Sequence, residues 1–289
     1  MPGEAALAYS PRHPERTVLY RLVSSRFDEF ERVYPTRFQA REGYWRAVVG
    51  EVVRRYLACG ILRHGFARVK CRECKGEFLV AFSCKARHVC PSCHQRRVLE
   101  FGELLRGRVL EKVAHRQVVF TIPKMLRPYF RHHRGLLSRL AGCAFDALKE
   151  LSRAGLARED VTPGAVVVIQ TFGAVLNFHP HLHVLVTAGA FSPDGAFLRL
   201  PGLPTRALET VFRDNVLSLL LSEGLIDERR VRGLLSWRHS GFSVHVGKAV
   251  PAADAEATEQ LAPLLLRPPK GPPWSRSLTT SSGSSPGAR

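Results

Sequence analysis

Three features of this 289-residue chain predict an α+β fold in two parts. Cysteines occur as two CxxC pairs, Cys71-x2-Cys74 and Cys90-x2-Cys93, in the first third of the chain. The run Asn177-Phe178-His179-Pro180-His181-Leu182-His183-Val184-Leu185-Val186 places histidines at alternate positions ahead of an apolar stretch. From residue 112 onward the segments read strand, helix, strand, strand, helix, strand. That order predicts a ferredoxin-like antiparallel sheet with helices over it. The cysteine pairs predict a small zinc-ribbon-like domain in front of it.

The elements follow in order. Residues before about 40 give weak helical signals, and Tyr44 to Leu57 has helical apolar spacing. The aromatics Tyr44, Trp45 and Tyr56 there suit the core of a small domain; base stacking is the second reading. Glu77 to Phe82 reads as a short strand between the cysteine pairs, and Glu100 to Glu111 as a helix leaving them. His115 to Pro123 reads as a strand ended by proline, and Leu136 to Leu151 as an amphipathic helix ending near Gly155. The run Ala165 to Phe172, apolar through Ile169, predicts a buried central strand, antiparallel to the histidine strand. Ser192-Pro193-Asp194-Gly195 predicts a turn, Thr205 to Leu221 a helix, and Trp237 to Val246 a last strand or hairpin. This gives a metal-binding and DNA-binding domain at 1–111, a sheet domain at 112–262, and a disordered Ser/Gly/Pro-rich tail at 263–289.

Two CxxC pairs separated by 15 residues predict one structural Zn²⁺ on Cys71, Cys74, Cys90 and Cys93. Cys84 is expected as a buried thiol or an exchange partner for one of these ligands. Cys59 and Cys143 read as core packing. In the histidine run, a strand would put His181 and His183 on one face with Leu182 and Val184 behind. That pair predicts a site for a divalent ion. Pro180 is expected to disturb the register of His179. Gln170 and His115 are candidates for an extra ligand.

Lys and Arg outnumber Asp and Glu by 18, with a pI near 10.3. This predicts a polyanionic partner, DNA above all; a basic surface kept for solubility is the plainer reading. Arg68, Lys70, Arg72, Lys85, Arg87, Arg96 and Arg97 crowd the cysteines and are the candidate phosphate contacts. No stretch is long and apolar enough for a membrane span, and Met1-Pro2-Gly3-Glu4 does not begin a signal peptide.

Several motifs in order resemble the rolling-circle insertion-sequence transposases, a branch of the HUH endonuclease superfamily. They are Cys59-Gly60-Ile61-Leu62-Arg63-His64-Gly65-Phe66, the two CxxC pairs, and Ala81-Phe82-Ser83-Cys84-Lys85-Ala86-Arg87. With them come Val118-Val119-Phe120-Thr121-Ile122-Pro123, Asn177 to His183, and Leu235-Ser236-Trp237-Arg238-His239-Ser240-Gly241-Phe242-Ser243. The resemblance covers about residues 20–262; His88 stands where the family is expected to have glycine. It implies an HUH endonuclease core, with His181 and His183 holding Mg²⁺ or Mn²⁺. It also implies nicking and rejoining of single-stranded or hairpin DNA at the ends of the element, at the nucleoid in a bacterial cytoplasm. A tyrosine downstream would attack the phosphorus and become linked to the 5′ end.

The chain departs from the pattern there. All six tyrosines (Tyr9, Tyr20, Tyr34, Tyr44, Tyr56 and Tyr129) precede His179. A family segment like Leu-Ala-Arg-Tyr-x-x-Arg-Pro-Pro corresponds to Leu261-Ala262-Pro263-Leu264-Leu265-Leu266-Arg267-Pro268-Pro269, with Leu264 in the tyrosine's place. The expectation is a transposase by descent that lacks its nucleophile. The alternative is a non-catalytic zinc-dependent DNA-binding protein; a metal hydrolase using water would need a general base that the sequence does not identify.

Overall fold

The computed structural model describes residues 13–86, 89–173, 177–237 and 239–252, together with Leu265. They fall into two units divided between Arg97 and Val98. Arg87, His88, Arg238 and the 263–289 tail apart from Leu265, Leu264 included, lie outside the described residues.

In the first unit, Thr17 caps helix α1 (Val18–Arg37), its hydroxyl accepting from the Tyr20 N–H at 3.3 Å. A short α2 (Gln39–Glu42) stops at Gly43, whose φ of 87° suits glycine. Helix α3 (Ala47–Ala58) follows. The Trp45 ring packs against Phe27, Phe30 and Tyr34 at centroid distances of 6.3, 6.0 and 5.0 Å. Tyr56 is buried beside Cys59, Cys84 and Cys90, whereas Tyr44 is 82% exposed. Two of the three aromatics are therefore core.

Strands β1 (Phe66–Lys70) and β2 (Glu77–Ala81) form an antiparallel hairpin running from Phe66↔Ala81 to Lys70↔Glu77. The Cys71 N–H donates to the Gly76 carbonyl at 2.9 Å and closes its tip. At the base, the Gly60 N–H donates to the Phe82 carbonyl at 2.9 Å. Helix α4 (Pro91–Leu104) starts within the second CxxC pair, nine residues before the expected start at Glu100. Proline suits a first helical position because its missing N–H has no partner there. A π-helical turn (Leu105–Val109) ends this stretch.

The second unit is built on a four-stranded antiparallel sheet in the order β4-β5-β3-β8. In chain order it runs β3 (His115–Thr121), α5 (Arg127–His132), α6 (Leu136–Leu156), β4 (Ala165–Phe172) and β5 (Phe178–Thr187). A small hairpin of β6 (Gly189–Phe191) and β7 (Phe197–Arg199) follows, turning at Ser192–Gly195 as expected. Then come α7 (Thr205–Ser222), α8 (Glu228–Leu235) and β8 (Ser243–Val250). Without α5, α8 and the small hairpin this is the βαββαβ path of a ferredoxin-like sheet.

Strand alternation sorts the two faces. Val118, Phe120, Leu182, Val184 and Val244 are buried on one side against α6 and α7. Leu140, Ala144, Ala147, Leu148 and Leu151 form the inward stripe of α6 at helical spacing. Phe120 is fully buried and meets Phe212 of α7 at 4.8 Å between centroids. Truncating such a ring to alanine costs about 3–5 kcal/mol. On the opposite face Leu185 is covered by Leu105 and Leu265, with Val166, Val168 and Phe101 around them.

Two expectations need correction. Strand β4 is an edge strand, not a central one. Its first five residues are apolar because both faces are covered there: Val167 and Ile169 by the main core, Val166 and Val168 by the smaller cluster. The tail is also not wholly outside the fold, since Leu265 is 1% exposed. Among the described residues no helix is long and apolar enough to cross a membrane.

Candidate functional site

Four cysteines converge in the first unit, and they differ from the expected four. The Sγ atoms of Cys59, Cys84, Cys90 and Cys93 all lie within 4.8 Å of one another. The Cys59–Cys93 and Cys84–Cys93 pairs are 3.6 Å apart, and Cys59–Cys90 is 3.7 Å apart. A tetrahedral Zn²⁺ with Zn–S bonds near 2.3 Å requires sulfur–sulfur distances of about 3.8 Å, so the donor set fits the ion. A disulfide would need about 2.05 Å.

The local backbone prepares the thiolates. The Cys84 N–H donates to Cys59 Sγ at 3.3 Å, and the Ala86 N–H donates to Cys84 Sγ at 3.4 Å. The second bond closes a turn through Lys85, at a φ of 52°. Burial pushes the Cys84 thiol up to about 11, and the Cys90 thiol is raised by its bond to Cys59 and by burial. The buried Cys84 and Cys90 thiols resist ionisation until a cation joins them.

Cys90 and Cys93 stand where the spacing put them, but Cys71 and Cys74 do not join them. The ladder between β1 and β2 carries Cys71 and Cys74 to the hairpin tip, while Cys59 and Cys84 flank its base. Five residues of strand separate tip from base by about 16 Å. Cys59 and Cys84 were read as packing because neither belongs to a CxxC pair. The signal that could have found them is the hairpin, which brings its two flanks together. Cys143 is a core residue as expected, buried in α6 with its thiol pushed up to about 11 by burial.

The candidate DNA contacts Arg68, Lys70, Arg72, Lys85, Arg96 and Arg97 are all exposed. Glu77 pairs with Arg68 at 3.8 Å and Lys70 at 3.0 Å, on open surface where such pairs stabilise little. Arg72 extends the charge to the hairpin tip.

In the second unit, β5 sets His179, His181 and His183 on one face. Ring centroids are 5.1 Å apart for His179–His181 and 5.0 Å for His181–His183. Strand β5 runs on from Phe178, but its register against β4 shifts by one residue between the Phe172↔Phe178 and Gln170↔His181 pairs, so the pairing is irregular around His179 and Pro180, as expected. The His181 Nδ1 sits 2.8 Å from the His179 carbonyl. A carbonyl only accepts, so Nδ1 carries the proton and Nε2 keeps a lone pair for an ion. His183 Nδ1 meets the Gln117 amide at 3.0 Å. The amide nitrogen of Gln117 is the atom in contact, so Gln117 holds the His183 ring in place by donating to it.

The ladder fills out this face. Gln170 stands opposite His181 on β4, and Thr121 opposite it on β3. Val119 separates His183 from His245 on β8, about 10 Å away across two strand spacings. Gln117, Thr121 and His245 were missed by sequence reading, since only strand register places them here. His115, a candidate ligand, pairs with Thr187 at the other end of β3, about 20 Å from Thr121. It cannot reach the ion position. Among the described residues no Asp, Glu or Cys completes a third ligand with these histidines.

His179 has a different setting. Its Nε2 is buried without a partner among the described residues, and Gly173 packs against the ring. Burial, then the charge of Arg127, then His181 push its pKa down to about 4. The Arg127 Nε is likewise buried and unpartnered.

Residues 29–122 match the family described as "Transposase zinc-binding domain", and residues 164–270 match the family described as "Putative transposase". The "Transposase for insertion sequence element IS801" of Pseudomonas savastanoi pv. phaseolicola is 31% identical over 161 residues. That alignment covers 55% of this chain and 38% of the relative. The "Putative transposase y4qJ" of Sinorhizobium fredii (strain NBRC 101917 / NGR234) is 36% identical over 152 residues, 50% of this chain and 36% of the relative. The chain thus spans under two fifths of the length of these curated relatives. No solved structure matches it.

Proposed function

Since this chain belongs to the rolling-circle insertion-sequence transposases, we propose that it binds single-stranded or hairpin DNA at its element's ends through an ion on His181 and His183. The observation that supports this reading is the pair of imidazoles side by side on a rigid strand, with the His181 proton held on Nδ1. Two nitrogen donors with oxygen ligands from Gln170, water or phosphate suit Mn²⁺ well and Mg²⁺ more weakly. When bound, such an ion supplies Lewis acidity toward a phosphodiester oxygen. The chain's own residues do the positioning. Gln117 holds the His183 ring, the His179 carbonyl holds His181, and Gln170 stands opposite His181 on β4.

The zinc-binding domain contributes the second contact with DNA. Zinc on Cys59, Cys84, Cys90 and Cys93 would fix the hairpin that presents Arg68, Lys70 and Arg72 to phosphates. No tyrosine follows His183, and leucine occupies position 264. Leucine has no nucleophilic atom, so we read the protein as one that binds and orients DNA without forming the tyrosyl link. That absence also favours the second reading, a zinc-dependent DNA-binding protein with no catalytic step.

Calorimetric titration with Mn²⁺ tests the ion site. The full chain should bind one ion in the second unit, and His181→Ala or His183→Ala should abolish it with zinc content unchanged. Unaltered Mn²⁺ binding in both variants would remove the basis of the proposal.

A further inference from the structure

A groove of about 630 Å³ opens in the second unit beside α5 and α8, and none of the site histidines lines it. Met125, Tyr129, Arg229, Arg230, Gly233 and Trp237 are among the residues that line it. Its size falls in the usual range for a small-molecule or nucleotide site. The Trp237 ring is 55% exposed at the rim. An indole left half in water is an open stacking surface.

The charge at the groove identifies the occupant. Of the arginines on α8, Arg232 pairs with Glu228 at 3.3 Å, while neither Arg229 nor Arg230 has an ion-pair partner among the described residues. The Asp227 carboxylate caps α8 by accepting from the Arg230 N–H at 2.6 Å, so it is engaged by the backbone. The groove therefore joins an aromatic face to two uncommitted guanidinium groups. That combination takes a planar, uncharged ring with an anion beside it.

We propose that this groove is a nucleobase subsite: one unpaired base of single-stranded DNA stacks on Trp237 while Arg229 and Arg230 hold its flanking phosphates. A duplex does not fit, because its bases are already stacked and paired. The inference rests on the DNA-binding reading above but not on the ion. Helix α5 connects the two sites: it sends Tyr129 into the groove and Arg127 toward His179. A strand whose base is seated at Trp237 would continue past Arg127 toward the histidines. A Cβ at Gly233 would meet nothing within 4 Å, so a side chain can be added there without a clash.

The test uses the full chain and a short oligodeoxythymidylate, followed by tryptophan fluorescence. The chain has three tryptophans, and only Trp237 should be quenched by the strand. Trp237→Ala should weaken single-strand binding about tenfold, with Trp237→Phe retaining most of the affinity but losing the quench. Gly233→Leu should block the groove and weaken binding as much, without loss of fold. Replacing Arg229 and Arg230 by Gln should lower the dependence of log K on log salt by about 1 to 2. Duplex affinity should be unchanged in every Trp237 and Gly233 variant. Wild-type single-strand affinity in both Trp237→Ala and Gly233→Leu would overturn the proposal, as would an equal loss for duplex. If His181→Ala and His183→Ala lose Mn²⁺ binding but keep the quench, the subsite stands apart from the ion. If Mn²⁺ binding proves independent of those histidines while the quench persists, only the ion reading fails.

Discussion

The side-chain amide of Gln170 donates from Nε2 to the main-chain carbonyl of Leu265 at 3.1 Å, in a buried setting. Gln170 is also the β4 residue directly opposite His181. One side chain therefore joins the histidine face to the segment in which relatives are expected to carry their nucleophile. Leu265 itself packs on Leu185, one alternate position beyond His183 on the same face. Leu265 thus lies against the sheet next to the histidine face.

This clamp should be measurable. Gln170→Leu removes the donor and strands the Leu265 carbonyl, which costs about 1–3 kcal/mol for an unsatisfied buried group. Hydrogen exchange at Leu265 and Leu266 should accelerate, with β3 and β5 unchanged. Equal exchange in both proteins would mean that Leu185 and Leu105 alone hold the segment.

Zinc content separates the two sets of cysteines. Cys59→Ser and Cys84→Ser should each release the ion and unfold the hairpin base, because binding of a structural zinc is itself folding energy. Cys71→Ser and Cys74→Ser should keep a full equivalent by elemental analysis. Zinc lost with Cys71→Ser and retained with Cys84→Ser would reverse the assignment.

Covalent capture addresses catalysis. Incubating the protein with labelled single-stranded DNA from the element's ends and Mn²⁺ should give no adduct on denaturing gels. An attacking phenolate must meet phosphorus in line. Tyr129, the nearest tyrosine to the motif in sequence, packs with the main hydrophobic core and lines the α8 groove. An adduct that disappears in Tyr129→Phe would prove this expectation wrong.

Acid should weaken the second unit through His115. This imidazole is buried, and desolvation holds its pKa below the ordinary 6.5. As pH falls through that value the unfolded chain takes up a proton that the folded chain refuses. The unfolded state then binds more protons, so stability drops with falling pH until the lower folded pKa is passed. Melting at about pH 7.5 and about pH 5.5 should show a larger loss in the native protein than in His115→Gln. Identical losses would place the acid sensitivity elsewhere.

The sequence by itself determined the two-part plan, the six main strands and helices of the sheet domain, and the shared face of His181 and His183. These rest on spacings within one segment: two residues per repeat in a strand, 3.6 in a helix. It also determined that Cys90 and Cys93 bind together, since three residues of one turn suffice. Tertiary structure decided which cysteines join them, because a hairpin carries Cys71 and Cys74 away while it brings Cys59 and Cys84 together. It decided likewise that Gln117 and Gln170 stand beside the histidines while His115 does not. A local repeat fixes which way a side chain points, but its neighbours across the ladder depend on strand register and order, which are set by burial summed over the whole sheet.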